Sequence, residues 1–438
     1  MARRHVIVGG GTAGLNAILT IRECDDGASE IVLVSAERPY SRMVLPYYLG
    51  RGIAESRVFT LTPPRLAELQ VRAHLGRRAA ALDPIASRLT LDDGTVLEYD
   101  RLLIATGSSP VKAPVPGAEL PGVHSFWTLE QARGLAAQLQ EGSHVALVGG
   151  GFIAFTMLNA LLHLKARLSI VEVAPQILPR MIDWTGAEIV ERWLARQGVG
   201  IRTGATLLAI EDAGGRKRLR FRDGADLEVD AVIMATGIRT NLEWLAGSGL
   251  KTNRGILVDD HLRASAPDVF AAGDVAEGRD LVTGQPALHA IEPTAMEHGR
   301  VAGANMAGRD VAYRGSLLMN IVEVCHLDIA SFGAWDDPGA EAFAAARPER
   351  FAYRKLLWRG DRLVGATILG RANDIWTTND VGMLKGLVQS GAPLGPWKAH
   401  LRRNPFDVKP VFVAAGTTAG LLSETTLGRP SVPVERLA

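Results

Sequence analysis

The sequence predicts an α/β protein in which two interleaved strand-turn-helix units are followed by an α+β C-terminal part. Three observations carry this expectation. A glycine turn joins a buried strand to a helix at residues 5–17, a partial repeat of it occurs at residues 144–154, and an Ala-Thr-Gly tripeptide closes each unit at residues 105–107 and 235–237. At 438 residues the chain exceeds what one hydrophobic core organises, so two or three domains are expected.

The opening strand His5-Val6-Ile7-Val8 runs directly into Gly9, Gly11 and Gly14, with Thr12 and Ala13 starting a helix over residues 13–24. This is G-x-G-x-x-G in the context it needs. The first glycine permits the tight turn, the second lets a pyrophosphate approach the backbone, and the third lets helix and strand pack closely. A second buried strand covers residues 30–34. Glu37 is the candidate acid for ribose hydroxyls, two residues past the usual place, which holds Ser35. The excursion Pro39-Tyr40-Ser41-Arg42-Met43-Val44-Leu45-Pro46-Tyr47-Tyr48 follows, then short strands near 71–75, 80–82, 88–91 and 96–99. A buried strand ends at Ala105-Thr106-Gly107. Pro110, Pro114, Pro116 and Pro121 mark a linker, and a helix starts at Leu129.

The second unit repeats the plan with Gly149, Gly151, Phe152 and Ile153, and Ala154 replaces the third glycine. Its next strand ends at Glu172, 23 residues after Gly149, where a ribose-binding acid belongs. The unit closes at Ala235-Thr236-Gly237. Beyond it, a short strand delivers Gly273 and Asp274, and Glu292 and Thr294 lead into a helix reaching Met306, with Gly299 and Gly303 allowing close packing. These are two Rossmann-like halves. Strands within 320–332, 350–358 and 362–369 and a helix over 374–389 make a third domain, with Trp358, Trp376 and Trp397.

Composition narrows the function. A net charge of +1 implies no nucleic-acid partner. The two cysteines, Cys24 and Cys325, form no disulfide framework or metal cluster, so no metal is expected and a reduced, cytoplasmic setting is. The first strand starts too early for a signal peptide. Residues 145–164 carry no formal charge, but three consecutive glycines and a strand-turn-helix account for the run without a membrane span.

The order Gly9-x-Gly11-x-x-Gly14, Ala105-Thr106-Gly107, Gly149-x-Gly151, Ala235-Thr236-Gly237 and Ala272-Gly273-Asp274 resembles the FAD-dependent pyridine nucleotide-disulfide oxidoreductase superfamily, over about residues 5–308. The resemblance implies a discontinuous FAD-binding domain at residues 1–112 and 239–308, an NAD(H)-binding domain at 113–238, and a C-terminal interface domain at 309–438. FAD would lie on Gly9, Gly11, Thr12, Ala13 and Gly14, with Glu37 at its ribose, Asp274 at the ribitol or pyrophosphate, and Arg42, Ala105, Thr106, Gly107, Gly273, Glu292 and Thr294 completing the site. NADH would lie on Gly149, Gly151, Phe152, Ile153 and Gly237. Glu172 favours NADH, since a carboxylate repels the 2′-phosphate of NADPH, although Arg167 and Arg180 flank its strand and leave NADPH open.

Members that reduce disulfides or peroxides place a cysteine near the flavin. The corresponding helix and loop here hold none but Cys24 at the helix end, and both cysteines are expected to be buried apolar residues. The loop instead resembles the non-cysteine branch of ferredoxin and rubredoxin reductases, nitrite-reductase flavin domains and apoptosis-inducing-factor-like proteins. Those often read Pro-Tyr-x-Arg-Pro-Pro-Leu-Ser-Lys; here Tyr47 stands at the lysine and Thr156 at its glutamate partner, so both charges are missing together. Tyr47 or Tyr48 is expected at the flavin and Phe152 or Phe155 at the nicotinamide entrance, with Tyr47, Arg42 and Thr156 as catalytic candidates and His289 and His298 as candidate proton relays. The implied activity is hydride transfer between NADH and FAD, with electrons passed to or from an iron–sulfur or rubredoxin-like protein or a partner subunit, including one that oxidises 2-oxoacids. A redox-sensing FAD protein and a quinone reductase remain alternatives. The basic segment Trp397–Arg403 suits an acidic electron carrier, and the interface domain implies a homodimer or a larger complex.

Overall fold

The computed structural model describes residues 2–372 and 374–417. Ten helices are labelled here: α1 Thr12–Asp25, α2 Leu45–Leu49, α3 Pro63–Glu68, α4 Leu129–Gln138, α5 Phe152–His163, α6 Trp184–Arg196, α7 Glu292–Met306, α8 Ile375–Ser390, α9 Pro396–Arg403 and α10 Lys409–Ala414. Residues 418–438 of the expected third domain lie outside the described residues.

Two parallel five-stranded sheets form the frame. The first runs in the order Val269–Ala271, Arg101–Ile104, Arg4–Val8, Glu30–Ser35, Val71–Leu75. The second runs Gly200–Arg202, Arg167–Val171, His144–Val148, Ala231–Met234, Val123–Ser125. Their central strands are buried on both faces, which is why Val6-Ile7-Val8 and Val145-Ala146-Leu147-Val148 are continuous apolar runs rather than alternating ones. The chain leaves the first unit through Ser108–Pro110 and returns through Ile238–Thr240, and these two segments pair antiparallel. That ribbon is the structural form of the interleaving.

Two antiparallel three-stranded meanders decorate the sheets, one spanning residues 79–98 and one spanning residues 207–229. The second was not expected from sequence, because strands such as Leu207–Ala213 are mostly solvent-facing and carry little apolar alternation. Helix α7 lies across α1 at very short range. A Cβ on Gly299 would stand 2.3 Å from the Ala13 carbonyl oxygen, and one on Gly303 2.7 Å from that of Ala17. The helix starts at Glu292 rather than Thr294 because Pro293 sits in the first turn, where its missing N–H costs nothing.

The C-terminal part is an antiparallel sheet in the order Met319–Val324, Leu327–Gly333, Arg362–Arg371, Ala352–Arg359, Glu341–Arg347, backed by α8 and α10. It is bolted to the second unit at Asp183. This residue caps α6 through the Gly186 N–H (3.1 Å) and also accepts bonds from the Tyr353 hydroxyl (2.7 Å) and the Lys355 ammonium (3.2 Å). A buried Arg354–Asp380 pair (3.1 Å) joins the same sheet to α8, and carbonyls of Tyr353 and Leu369 satisfy the guanidinium further.

Candidate active site

One continuous cavity of about 2670 Å³ is lined from the C-terminal ends of strands in both parallel sheets, by Val8, Val34 and Ala105 on one side and Val148, Val171 and Ala235 on the other. Parallel sheets place ligands at such ends.

The first glycine turn is built backbone against backbone. Gly9 has φ +117°, and a Cβ on it would stand 2.0 Å from the Ala105 carbonyl oxygen. Gly11 is different: a Cβ there would meet nothing within 4 Å, because it would project into the cavity. Gly11 is also the N-cap of α1, with no side chain capping the helix and no acid in its first turn. Free N–H groups of a helix start therefore face the cavity, the arrangement that holds a pyrophosphate. Gly14 corrects the expectation that all three glycines touch that group. It does not line the cavity, and it packs on the Gly9 carbonyl oxygen, which its Cβ would approach to 2.0 Å.

Around this turn runs a polar ring made by distant segments. The Thr12 and Ser41 hydroxyls both donate to Glu292 Oε1, at 2.9 and 2.6 Å. Ser108 donates to Asp274 at 2.6 Å; burial pushes the Asp274 carboxyl up, with the Ser108 bond and the Arg42 charge opposing. Arg42 lies 3.9 Å from Glu37, donates to the Trp127 carbonyl oxygen (3.0 Å) and sits over the Trp127 ring. Tyr40 donates to Glu37 (3.0 Å) and accepts from the Leu129 N–H (2.9 Å); burial, then the Glu37 charge, raises its hydroxyl to about 12. Ala105, Thr106, Gly107 and Gly273 line the cavity, and Thr106 is locked to Asn241 by bonds of 3.2 and 2.8 Å.

The second turn repeats the geometry. Gly149 has φ +102° and would clash with the Ala235 carbonyl oxygen at 2.4 Å, while Gly151 is an uncapped, open helix start. Phe152, Ile153, Thr156 and Gly237 line the cavity, and the Thr156 hydroxyl donates to the Ile153 carbonyl oxygen (2.7 Å). Glu172 is buried and accepts from the Gly150 N–H (2.7 Å) and the Ala174 N–H (2.8 Å).

Several expected residues fall elsewhere. Tyr47 is 66 % exposed and off the cavity, because residues 45–49 coil into α2. Leu45 and Leu49 point inward from that helix, and a residue two positions from each faces away. Tyr48 also lies off the cavity, bonded to Glu55 (3.1 Å), and Phe155 is core. Thr294 is buried inside α7 and does not reach the cavity. His298 is fully buried against Tyr313, which leaves His289 as the histidine on the wall. Cys24 and Cys325 are free, partly buried rather than in the core, and off the cavity; burial pushes the Cys325 thiol up to about 11. The sequence reading missed Ser41, Ser108, Trp127 and Asn241. Only Ser108, directly after Ala-Thr-Gly, carried a positional signal.

The family model for pyridine nucleotide-disulphide oxidoreductases matches residues 3–299. The chain belongs to this family. It is an FAD-dependent NAD(P)H oxidoreductase, and the open glycines Gly11 and Gly151 at two uncapped helix starts fit two dinucleotides. Among curated family relatives, the NADH-dependent phenylglyoxylate dehydrogenase subunit epsilon of Aromatoleum evansii is 30% identical over 92% of this chain and 96% of its own. The ferredoxin–NAD(+) reductase component of the anthranilate 1,2-dioxygenase system of Burkholderia cepacia is 30% identical over 89% and 95%. The chain spans about half of a Bacillus subtilis nitrite reductase, covering 46% of it at 29% identity. Among solved structures, putidaredoxin reductase in its covalent complex with putidaredoxin superposes with a TM-score of 0.84 at 22% identity, over 95% of this chain and 100% of that one, a likeness of fold. Among the described residues, no helix is long and apolar enough to cross a membrane, and no His/Cys/Asp/Glu group could hold a metal ion.

Proposed function

We propose that this chain moves a hydride between NADH and FAD and exchanges electrons with an iron–sulfur or rubredoxin-like protein, or with a partner subunit, without a redox cysteine. The observation that carries the reading is the single cavity reached by both open glycine turns, Gly11 and Gly151, with no cysteine among its lining residues. Bound FAD supplies a hydride acceptor that passes electrons on singly or in pairs.

The chain's residues do the rest. The α1 start and Gly11 hold a pyrophosphate, Glu37 a ribose, and Arg42 places a positive charge between Glu37 and Asp274. The α5 start, Gly151 and Phe152 hold the second dinucleotide. Each Glu172 oxygen keeps a lone pair for ribose hydroxyls, and its charge opposes a 2′-phosphate. In this reading residues 1–112 with 239–308 bind FAD, 113–238 bind NADH, and the part from 309 onward presents the edge strand Glu341–Arg347 to a second copy or a larger complex in the cytoplasm.

The near full-length likeness to a dehydrogenase subunit favours one variant, in which electrons from an iron–sulfur partner that oxidises a 2-oxoacid reach NAD through this chain. Anaerobic stopped-flow mixing with NADH and NADPH, then with candidate carriers, tests the reading. Flavin bleaching by NADH and reoxidation by a one-electron iron–sulfur carrier are expected. A protein that retains FAD but is reoxidised only by disulfides or peroxide would overturn the proposal.

A further inference from the structure

Behind the start of α7, three polar side chains from separate segments meet out of solvent. His289 lines the cavity but is only 6 % exposed, and both ring nitrogens are engaged. Nδ1 lies 2.7 Å from the Ser316 hydroxyl and Nε2 3.2 Å from Asp280 Oδ2. Asp280 is itself fixed in a turn: its Oδ1 accepts from the Val282 N–H (3.0 Å), the Thr283 N–H (2.7 Å) and the Thr283 hydroxyl (2.8 Å). Burial opposes ionisation of Asp280, yet the bonds from His289 and Thr283 outweigh it and hold the carboxyl below its ordinary range. A carboxylate held charged out of water favours a positive charge beside it, and the imidazole against it can supply one by taking up a proton.

The other groups around the ring cannot replace it. His298 on α7 is pushed down to about 3, first by burial and then by His289 itself, so it stays neutral. Tyr313, in the segment leading to Ser316, is raised by burial. Arg279, beside Asp280, is drawn 3.5 Å from Asp260 on the surface, and Glu292 on α7 is occupied by Thr12 and Ser41. Where Asp280 accepts from Nε2–H, His289 Nδ1 faces the Ser316 hydroxyl, which can turn from donor to acceptor when a proton arrives there.

We infer that His289 is a proton-storing residue of the flavin cavity, oriented by Asp280 and Ser316, which takes up one proton when the flavin is reduced and releases it on reoxidation. A hydride from NADH carries two electrons and one proton into the cavity, leaves NAD+ and adds one negative charge. His289 Nδ1 then forms an N–H bond with a proton drawn from water, so two electrons and two protons enter in all and the added charge is balanced. The inference rests on flavin occupying this cavity.

The test is the midpoint potential of the bound flavin between pH 6 and 9. Each proton coupled to a two-electron couple moves the potential by about 30 mV per tenfold change in proton concentration. The wild-type protein is expected to show the two-proton slope through neutral pH and His289→Gln the one-proton slope. Asp280→Asn keeps the ring but is expected to weaken its hold on the proton about tenfold or more, moving the break in slope to lower pH. Proton release into an indicator dye during reoxidation should fall by one per flavin in His289→Gln. A one-proton slope in the wild type, or a two-proton slope that survives both substitutions, overturns the inference while leaving flavin binding intact. A purified protein with no flavin spectrum after FAD reconstitution would instead overturn the reading of the cavity.

Discussion

The two glycine turns follow one plan and are finished differently. At the first, Gly14 leaves no room for a methyl group, and α7 presses on the same helix through Gly299 and Gly303. At the second, Ala154 occupies the equivalent place fully buried, and α5 is covered by α2 and the tail strand Met319–Val324. The acids differ as well. Glu37 is half-exposed and tied to Tyr40 and Arg42, whereas Glu172 is buried on two backbone N–H groups, Gly150 of the glycine turn and Ala174 just past its own strand. The first site is wired to remote parts of the chain, through residues 12, 41, 108, 274 and 292. The second is closed by backbone groups of one sheet, Gly149 on the Ala235 carbonyl and Glu172 on the Gly150 and Ala174 N–H groups. A site assembled from side chains of distant segments depends on more of the fold than one closed by the backbone of a single sheet.

The sharpest way to break this contrast is to compare Gly9→Ala with Gly149→Ala. Both force a Cβ into a carbonyl at positive φ, at a cost on the order of several kcal/mol locally. Gly9→Ala is expected to purify without flavin absorbance, and Gly149→Ala to keep flavin while losing its reduction by NADH at least a hundredfold. Loss of flavin from both would erase the distinction.

The histidines that start the two central strands offer a second comparison. His5 is buried with Nδ1 unpaired, and burial, aided by Arg101, holds it down to about 4. His144 shifts the same way, through burial and then Arg167, but is partly exposed and meets Ser169 at 2.9 Å. Because the unfolded chain protonates His5 near 6.5 and the folded chain only near 4, its contribution is complete above about pH 6.5 and is lost as the pH falls toward 4. That loss amounts to roughly 3 kcal/mol. Urea midpoints measured from pH 7.5 down to 4.5 should flatten more in His5→Leu than in His144→Leu.

Packing gives a third. Gly14→Ala should destabilise by about 2–3 kcal/mol through overpacking, whereas Ala154→Gly should cost only about 1 kcal/mol of helix propensity, both read from urea unfolding. Equal costs would mean that α1 can retreat from its strand as α5 does. A modest effect confined to the second site is expected for Glu172→Gln, whose amide turns one acceptor into a donor facing an N–H. NADH should bind about tenfold more weakly, roughly 1.4 kcal/mol, with the flavin spectrum unchanged. An altered flavin spectrum would show that the second site is not local after all.

Much of this was legible in the residues. The glycines, including Gly273 before Asp274, and the Ala-Thr-Gly closures meet backbone requirements that only certain residues satisfy, so they stand out in any order of reading. Tyr47 was misplaced because motif counting assigns a position but not a direction; two leucines at helical spacing with Pro46 between them turn that loop into α2 and rotate the tyrosine outward. Gly14 keeps the packing role its place in the motif gives it, and only the pyrophosphate contact that the resemblance added does not follow, since Gly14 does not line the cavity. The cluster of Asp280, His289 and Ser316 had no signature, since three residues from a turn, a connection and a linker meet only through tertiary structure.

Glu172 also bears on time. In the proposed reading its carboxylate is already held by two backbone donors when a nucleotide arrives, so that binding need not order it. In the same reading FAD lies beside Thr12, Asp274 and Glu292, whose bonds join segments far apart in the chain, so that its release is expected to need a sub-global opening and to be far slower. The two halves thus keep different clocks, one suited to a visitor exchanged at every turnover and the other to a lifelong occupant.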